Sequence, residues 1–209
     1  MNGATQQWCV APHTEPTKTM TMSIHVHELN RHHVAAIKRH FSALGDEDLR
    51  LRFGAPVGVA QIDNYVEGID FERDAVFGVY ADDLTLIGVA HLPCRDGAAE
   101  LGLSVLERFR ASGIGTALFK RAVVHARNEQ AGQLFMHCLT QNDAIMHIAR
   151  KEGMRVVREQ SETEAYLELP PGNALTFGQE MLDRDLALFD WSCKACFVFP
   201  RHVLESAIP

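Results

Sequence analysis

Residues 100–116, Glu-Leu-Gly-Leu-Ser-Val-Leu-Glu-Arg-Phe-Arg-Ala-Ser-Gly-Ile-Gly-Thr, bring together the groups best suited to chemistry. An apolar strand ending at Val105 or Leu106 passes through a short charged loop into Gly113-Ile114-Gly115. Two glycines at a strand-to-helix turn let the backbone approach a ligand closely, and the first N–H groups of the helix lack partners within it. Those donors and the helix dipole make an anion site, most often for phosphate. Ser112 could cap the helix, but residue 115 is neither Glu nor Gln, so no capping box closes. Strand alternation puts Glu100, Gly102 and Ser104 on one face, opposite Leu101, Leu103 and Val105.

Other reactive residues give weaker signals. Cys193-Lys-Ala-Cys196 has C-x-x-C spacing with His202 following, but a structural zinc needs four ligands and a redox pair needs a βαβ context. Two unrelated thiols near a helix end are the simpler reading. The eleven histidines are scattered and define no metal set. His91 and His137, on expected central strands, are read as packed or hydrogen-bonded. No metal is therefore expected.

The elements that must position the glycine loop follow from periodicity. Ser23 to Leu29 alternates as a strand. Asn30 caps a helix from His33 to Leu44, and further helices cover 45–51 and 56–68. Asp74 to Tyr80 and Leu84 to Leu92 form a hairpin across Asp82-Asp83, and Asp96-Gly97 turns into a third strand, Ala99 to Leu106. A helix runs from the glycines to about Arg127, then a buried strand from Gln133 to Thr140. Asn142 to Glu152 is a helix stopped by Gly153. Strands at 155–159 and 164–169 end at Pro170-Pro171. The tail holds a helix-like stretch from Asn173 and then an apolar piece, Cys196-Phe197-Val198-Phe199. This order is mixed α+β, not a regular βαβ array. A dinucleotide-binding reading of the glycines also lacks the third glycine and a following acidic residue.

The 209-residue chain divides into an arm at 1–22, a domain at 23–170 and a C-terminal helical extension at 171–209. At 46% hydrophobic it can bury a sizeable core. A formal charge of −7 disfavours a nucleic-acid partner. Five cysteines, an odd number, suggest reduced thiols in a cytoplasmic compartment. No apolar run is long enough to span a membrane. The apolar tail from Phe189 to Phe199 could cover the sheet or make a homodimer contact.

Arg110-Ala-Ser-Gly113-Ile-Gly115 resembles the Arg/Gln-x-x-Gly-x-Gly/Ala motif of the GNAT superfamily of acyl-CoA-dependent N-acetyltransferases. Val105 stands where that motif has its strand-end valine, and Asn142 followed by Gly153-Met154 resembles the second signature, with Met for Phe. The resemblance covers about residues 23–170 and implies the GNAT fold, a mostly antiparallel mixed sheet flanked by helices. It further implies that acetyl-CoA rests its pyrophosphate on backbone N–H groups of Arg110, Ala111, Ser112, Gly113, Ile114 and Gly115, with Thr116 also in the cofactor site. The pantetheine arm would pair with Leu103, Ser104 and Val105, an N–H near Val105 would polarise the thioester, and Asn142 would bind the arm or simply cap its helix. Arg110 would add charge, or only shape the loop.

An amine nucleophile must lose a proton, and Glu100 is the candidate general base; the plainer alternative is a solvent-facing strand glutamate. The family's usual leaving-group tyrosine is replaced by Ala149. His147 lies nearby in sequence but about 200° round the helix. A thiol leaves reasonably well as thiolate, so a dedicated acid is dispensable. The form of this helix, and Leu49 to Gly54 before it, is similar to the GNAT domains of bacterial protein-lysine acetyltransferases. The expectation is direct transfer of acetyl to a primary amine, a protein lysine or a small amine, in a ternary complex. A covalent intermediate on Cys138 has no assignable base. The alternative is a non-catalytic acyl-CoA-binding regulatory module on the same fold.

Overall fold

The computed structural model describes residues 24–159 and 162–205; the arm expected at 1–22 lies outside them. Among the described residues eight strands form one sheet: β1 His27–Leu29, β2 Asp74–Tyr80, β3 Leu86–Arg95, β4 Ala98–Glu100, β5 Gly102–Val105, β6 Gln133–Leu139, β7 Arg155–Glu159 and β8 Glu162–Glu168. The helices are α1 Val34–Ser42, α2 Asp46–Phe53, α3 Val59–Glu67, α4 Ile114–Asn128, α5 Asp143–Lys151 and α6 Ala174–Glu205. The sheet order is β1-β2-β3-β4-β6-β8-β7, with β5 also on β3. All pairings are antiparallel except β4 with β6. The expected α+β architecture is the one observed.

Two of its departures from the expected elements follow from pairing. The single strand expected at 99–106 is two. Ala98 to Glu100 run parallel to Gln133 to Phe135, and the Leu101 N–H still reaches the Phe135 carbonyl at 2.8 Å. β3 is the other neighbour of both halves, with Cys94 opposite Ala99, His91 opposite Gly102 and Gly88 opposite Val105, so beyond Leu101 the chain keeps β3 and loses β6. Two parallel strands that travel together and then part leave a V between β5 and β6. The strand expected from Ser23 is paired only at His27 to Leu29, and Ser23 lies outside the described residues.

Alternation distributes the faces. Phe77, Gly88, Ala90 and Leu103 lie toward α4: Ile114 and Leu118 sit so close to Gly88 that a β-carbon there would be 2.8 Å and 3.1 Å from them. The opposite face, with Val76, His91, Gly102 and Ser104, meets α1, α2 and α3. Phe41, Phe53 and Tyr65 pack there with each pair of rings within 6 Å. Phe41, Phe77, Phe119, Leu92 and Leu134 are among the fully buried side chains, each such burial contributing on the order of 1.5–3 kcal/mol.

The tail is one continuous helix rather than a helix and a separate apolar piece. It docks on α4 through polar groups. Glu180 accepts from Arg121 at 2.7 Å, His125 at 2.7 Å and Asn128 at 2.5 Å, while Arg121 stacks over Phe77. Burial pushes the Glu180 carboxyl up, but His125, Asn128 and Arg121 outweigh it and hold it at about 2. Ala187 and Ala195 are buried on this helix, whereas Phe189 and Phe197 are exposed and do not cover the sheet. Among the described residues no helix is long and apolar enough to cross a membrane.

Candidate active site

A cavity of about 650 Å³ opens along β5. One wall is β5, through Leu103, Ser104 and Val105; a second is the loop and first turn of α4, from Phe109 to Thr116. A third is the start of α5, with Asn142, Ile145, His147 and Ile148. Leu44 and the α2 residues Asp48, Leu51 and Arg52 close the remaining side.

The glycine loop has the geometry its sequence predicts. Gly113, at φ +90°, is the residue immediately before α4, and Ala111 is also left-handed at φ +59°. A left-handed alanine is strained, and such strain gathers at ligand-binding turns. No side chain caps the helix, and Ala117 donates back to Gly113 at 2.9 Å. Ser112 is not the cap: its hydroxyl donates to the Phe109 carbonyl at 2.5 Å, and it alone of the expected loop contacts is absent from the cavity walls. Gly115 has a second role, since a β-carbon there would lie 2.9 Å from Ile148. Its bare backbone lets α5 close against α4.

Arg110 makes an ion pair with Asp48 at 2.5 Å, and its Nε–H donates to the Val105 carbonyl at 3.2 Å. Its charge is thus matched within the protein, and it ties the loop to β5 and α2. Asn142 caps α5, accepting from the Ile145 N–H at 3.2 Å, and its amide donates to the Leu51 carbonyl at 3.4 Å. It is buried in the wall between α2 and α5.

Ser104 is buried against α1. His40 Nδ1 lies 3.0 Å from the Leu86 carbonyl, so the ring donates there and accepts the Ser104 hydroxyl at Nε2, 2.8 Å away. Burial lowers the His40 pKa to about 4. Cys138 is buried, its thiol within reach of the Thr163 carbonyl at 3.4 Å, and burial pushes that thiol up. It is poorly suited to a covalent intermediate. Ala149 is fully buried and His147 exposed at the cavity rim.

Glu100 is exposed, at the end of β4 where the strands part, and outside the cavity walls. Its charge is nevertheless felt by Tyr65 and His91. Periodicity does not single out the group on that side. Arg52 Nη2 donates to the Tyr65 hydroxyl at 3.0 Å, and Tyr65 meets His91 Nδ1 at 2.7 Å. His91 Nε2 meets Asp74 at 3.1 Å, and Asp74 pairs with Arg95 at 2.5 Å. The guanidinium of Arg52 lies on Gly102, where a β-carbon would collide with it. The one sequence signal for this contact is that glycine, since a bare position inside a strand marks a close approach. Among the described residues no three His, Cys, Asp or Glu side chains are grouped to hold a metal.

A family model described as the acetyltransferase (GNAT) family matches residues 42–154. Three solved structures of similar fold have low sequence identity to the chain. The GNAT domain of S. lividans PAT is 16% identical, with a TM-score of 0.60, covering 70% of this chain and 90% of its own. The PaiA N-acetyltransferase of Thermoplasma acidophilum, in complex with coenzyme A, is 18% identical, with a TM-score of 0.54 and coverage of 70% and 99%. The spermidine N-acetyltransferase of Vibrio cholerae, in complex with CoA and spermine, is 16% identical, with a TM-score of 0.56 and coverage of 69% and 95%.

Proposed function

The chain belongs to the GNAT family of acetyltransferases, and from that premise we propose that it transfers acetyl from acetyl-CoA directly to a primary amine bound beside Glu100. The observation that carries this reading is the uncapped, glycine-led start of α4 opening onto a cavity that continues along β5. Unpaired N–H groups and the helix dipole suit a pyrophosphate. From there the pantetheine arm would follow Val105 and Leu103 toward the parting of the strands, adding to the edge of β5. The solved relatives that hold CoA, and the one that holds CoA with spermine, support the same donor and an amine acceptor.

The amine must attack as the free base. Glu100, directly or through a water it orders, takes the proton from the ammonium group. The nitrogen then adds to the thioester carbon, the tetrahedral intermediate collapses as the C–S bond breaks, CoA leaves as thiolate, and the second proton of the nitrogen passes to solvent. With Ala149 buried at the usual tyrosine position, the thiolate takes its proton from solvent. Transfer in a ternary complex needs no covalent intermediate, in keeping with the sequestered Cys138. The acceptor is a protein lysine or a small amine.

Glu100→Gln is expected to lower kcat about 10²-fold or more at neutral pH while CoA affinity stays within twofold, measured by calorimetric titration with CoA. Parallel loss of both would make Glu100 a structural residue.

A further inference from the structure

Arg52 is a half-buried cation on the cavity wall that, among the described residues, no acid neutralises. Arg110 is paired with Asp48, whereas among the described residues no carboxylate lies within ion-pair distance of Arg52. Its Nη2 donates to Tyr65, and its buried Nε–H has no partner. A half-buried guanidinium with spare donors is costly unless a negative group is to arrive.

Its position is fixed from three sides. Gly102 makes room for it, and the rings of Phe53 and Tyr65 lie 5.1 Å and 5.8 Å from its central carbon. Tyr65 is in turn held by His91, and His91 by Asp74. With Asp74 ionised, every donor in this chain points the same way: Arg52 to Tyr65, Tyr65 to His91, His91 to Asp74. Aligned bonds of this kind reinforce one another. Arginine cannot pass a proton on at ordinary pH, so the chain serves to hold the guanidinium rather than to conduct protons.

The place it holds is the acyl end of the cavity. The anion site at Gly113 marks one end of a bound donor, and β5 leads from Val105 to Gly102 at the other. There a thioester oxygen gains negative charge when an amine adds. We infer that Arg52 stabilises that oxyanion, together with a backbone N–H of β5, and that Tyr65, His91 and Asp74 are positioning residues for it. The inference rests on the acetyl-transfer reading above. In the step itself the amine lone pair forms the C–N bond and the carbonyl electron pair moves to oxygen beside Arg52. That pair returns as the C–S bond breaks and thiolate departs, and the second proton of the nitrogen passes to solvent, Glu100 having taken the first. Fixed donors aimed at developing charge lower the barrier without reorganising during the reaction.

The test compares the full chain with Arg52→Gln, Arg52→Ala and Tyr65→Phe, using acetyl-CoA, CoA, and matched primary amines with and without a carboxylate. Arg52→Gln is expected to lose about 10²–10³-fold in kcat for every amine, with the dissociation constant of CoA within twofold. Arg52→Ala should regain at least tenfold in rate with added guanidinium chloride at sub-denaturing concentration, a recovery that a packing defect would not show. Tyr65→Phe should lower kcat about tenfold with the KM for acetyl-CoA unchanged, because the guanidinium remains but is less well held. Unchanged kcat in Arg52→Gln overturns the assignment, as does a loss confined to carboxylate-bearing amines, which would make Arg52 an acceptor anchor. Absence of CoA release by the wild-type chain with any amine overturns the transfer reading itself.

Discussion

His40 Nε2 lies 2.8 Å from the Ser104 hydroxyl, joining the buried face of α1 to the strand that walls the cavity. The ring is neutral in the folded protein because burial lowers its pKa to about 4. In the unfolded chain it protonates near 6.5. Between these values the unfolded state binds more protons, so this contribution to stability is complete above about 6.5 and is lost as pH falls toward 4.

Urea unfolding at pH 7 and pH 5 should therefore show a decline of up to about 1.4 kcal/mol per pH unit from this group. His40→Gln should flatten that slope and cost about 1–3 kcal/mol at pH 7, by leaving the Leu86 carbonyl or the Ser104 hydroxyl unpaired. An unaltered pH slope in the variant would show that His40 titrates freely in the native state.

Gly102→Ala should displace the Arg52 guanidinium, because the new methyl would occupy its place. A shift of about 1 Å in a group that meets the reacting atoms can cost about 10²-fold. Turnover should fall by that order while calorimetric CoA binding, which we assign to the loop at 110–116, stays near wild type. Wild-type turnover would show that the guanidinium has no part in the reaction.

Half of this site is legible from local signals in the sequence. Gly113 and Gly115 announce a turn and a close approach within a few residues of chain. Asn142 announces a helix start whether or not it meets a ligand. Arg52 carries no such signal. It reaches Gly102 from a helix fifty residues earlier, and nothing in Leu-Arg-Leu-Arg-Phe distinguishes a surface arginine from a buried one. The break between β4 and β5 is hidden for the same reason. Periodicity at 99–106 is continuous and β3 pairs with both halves; only the loss of β6 beyond Leu101 divides the strand. The apolar residues of the tail suggest burial, whereas its docking is carried by Glu180 and the polar face of α4.

Gly113→Asp should abolish measurable CoA binding, raising the dissociation constant more than about 10²-fold. It would place a carboxylate against the pyrophosphate we propose there, and a side chain at φ +90°. Gly113→Ala is the control: it carries only the left-handed strain, on the order of 1–2 kcal/mol, visible as a lower urea midpoint. Equal CoA affinity in the Asp variant and the wild type would remove the phosphate from this loop.

The most direct measurement is the rate of CoA thiol release from acetyl-CoA by the wild-type chain, with and without each member of a panel of primary amines and lysine peptides. Release accelerated by at least one amine, with an equal amount of N-acetylated product by mass spectrometry, is the result an amine acetyltransferase gives. Saturable binding of acetyl-CoA with no amine accelerating release would contradict it and make the chain an acyl-CoA-binding module on a catalytic fold.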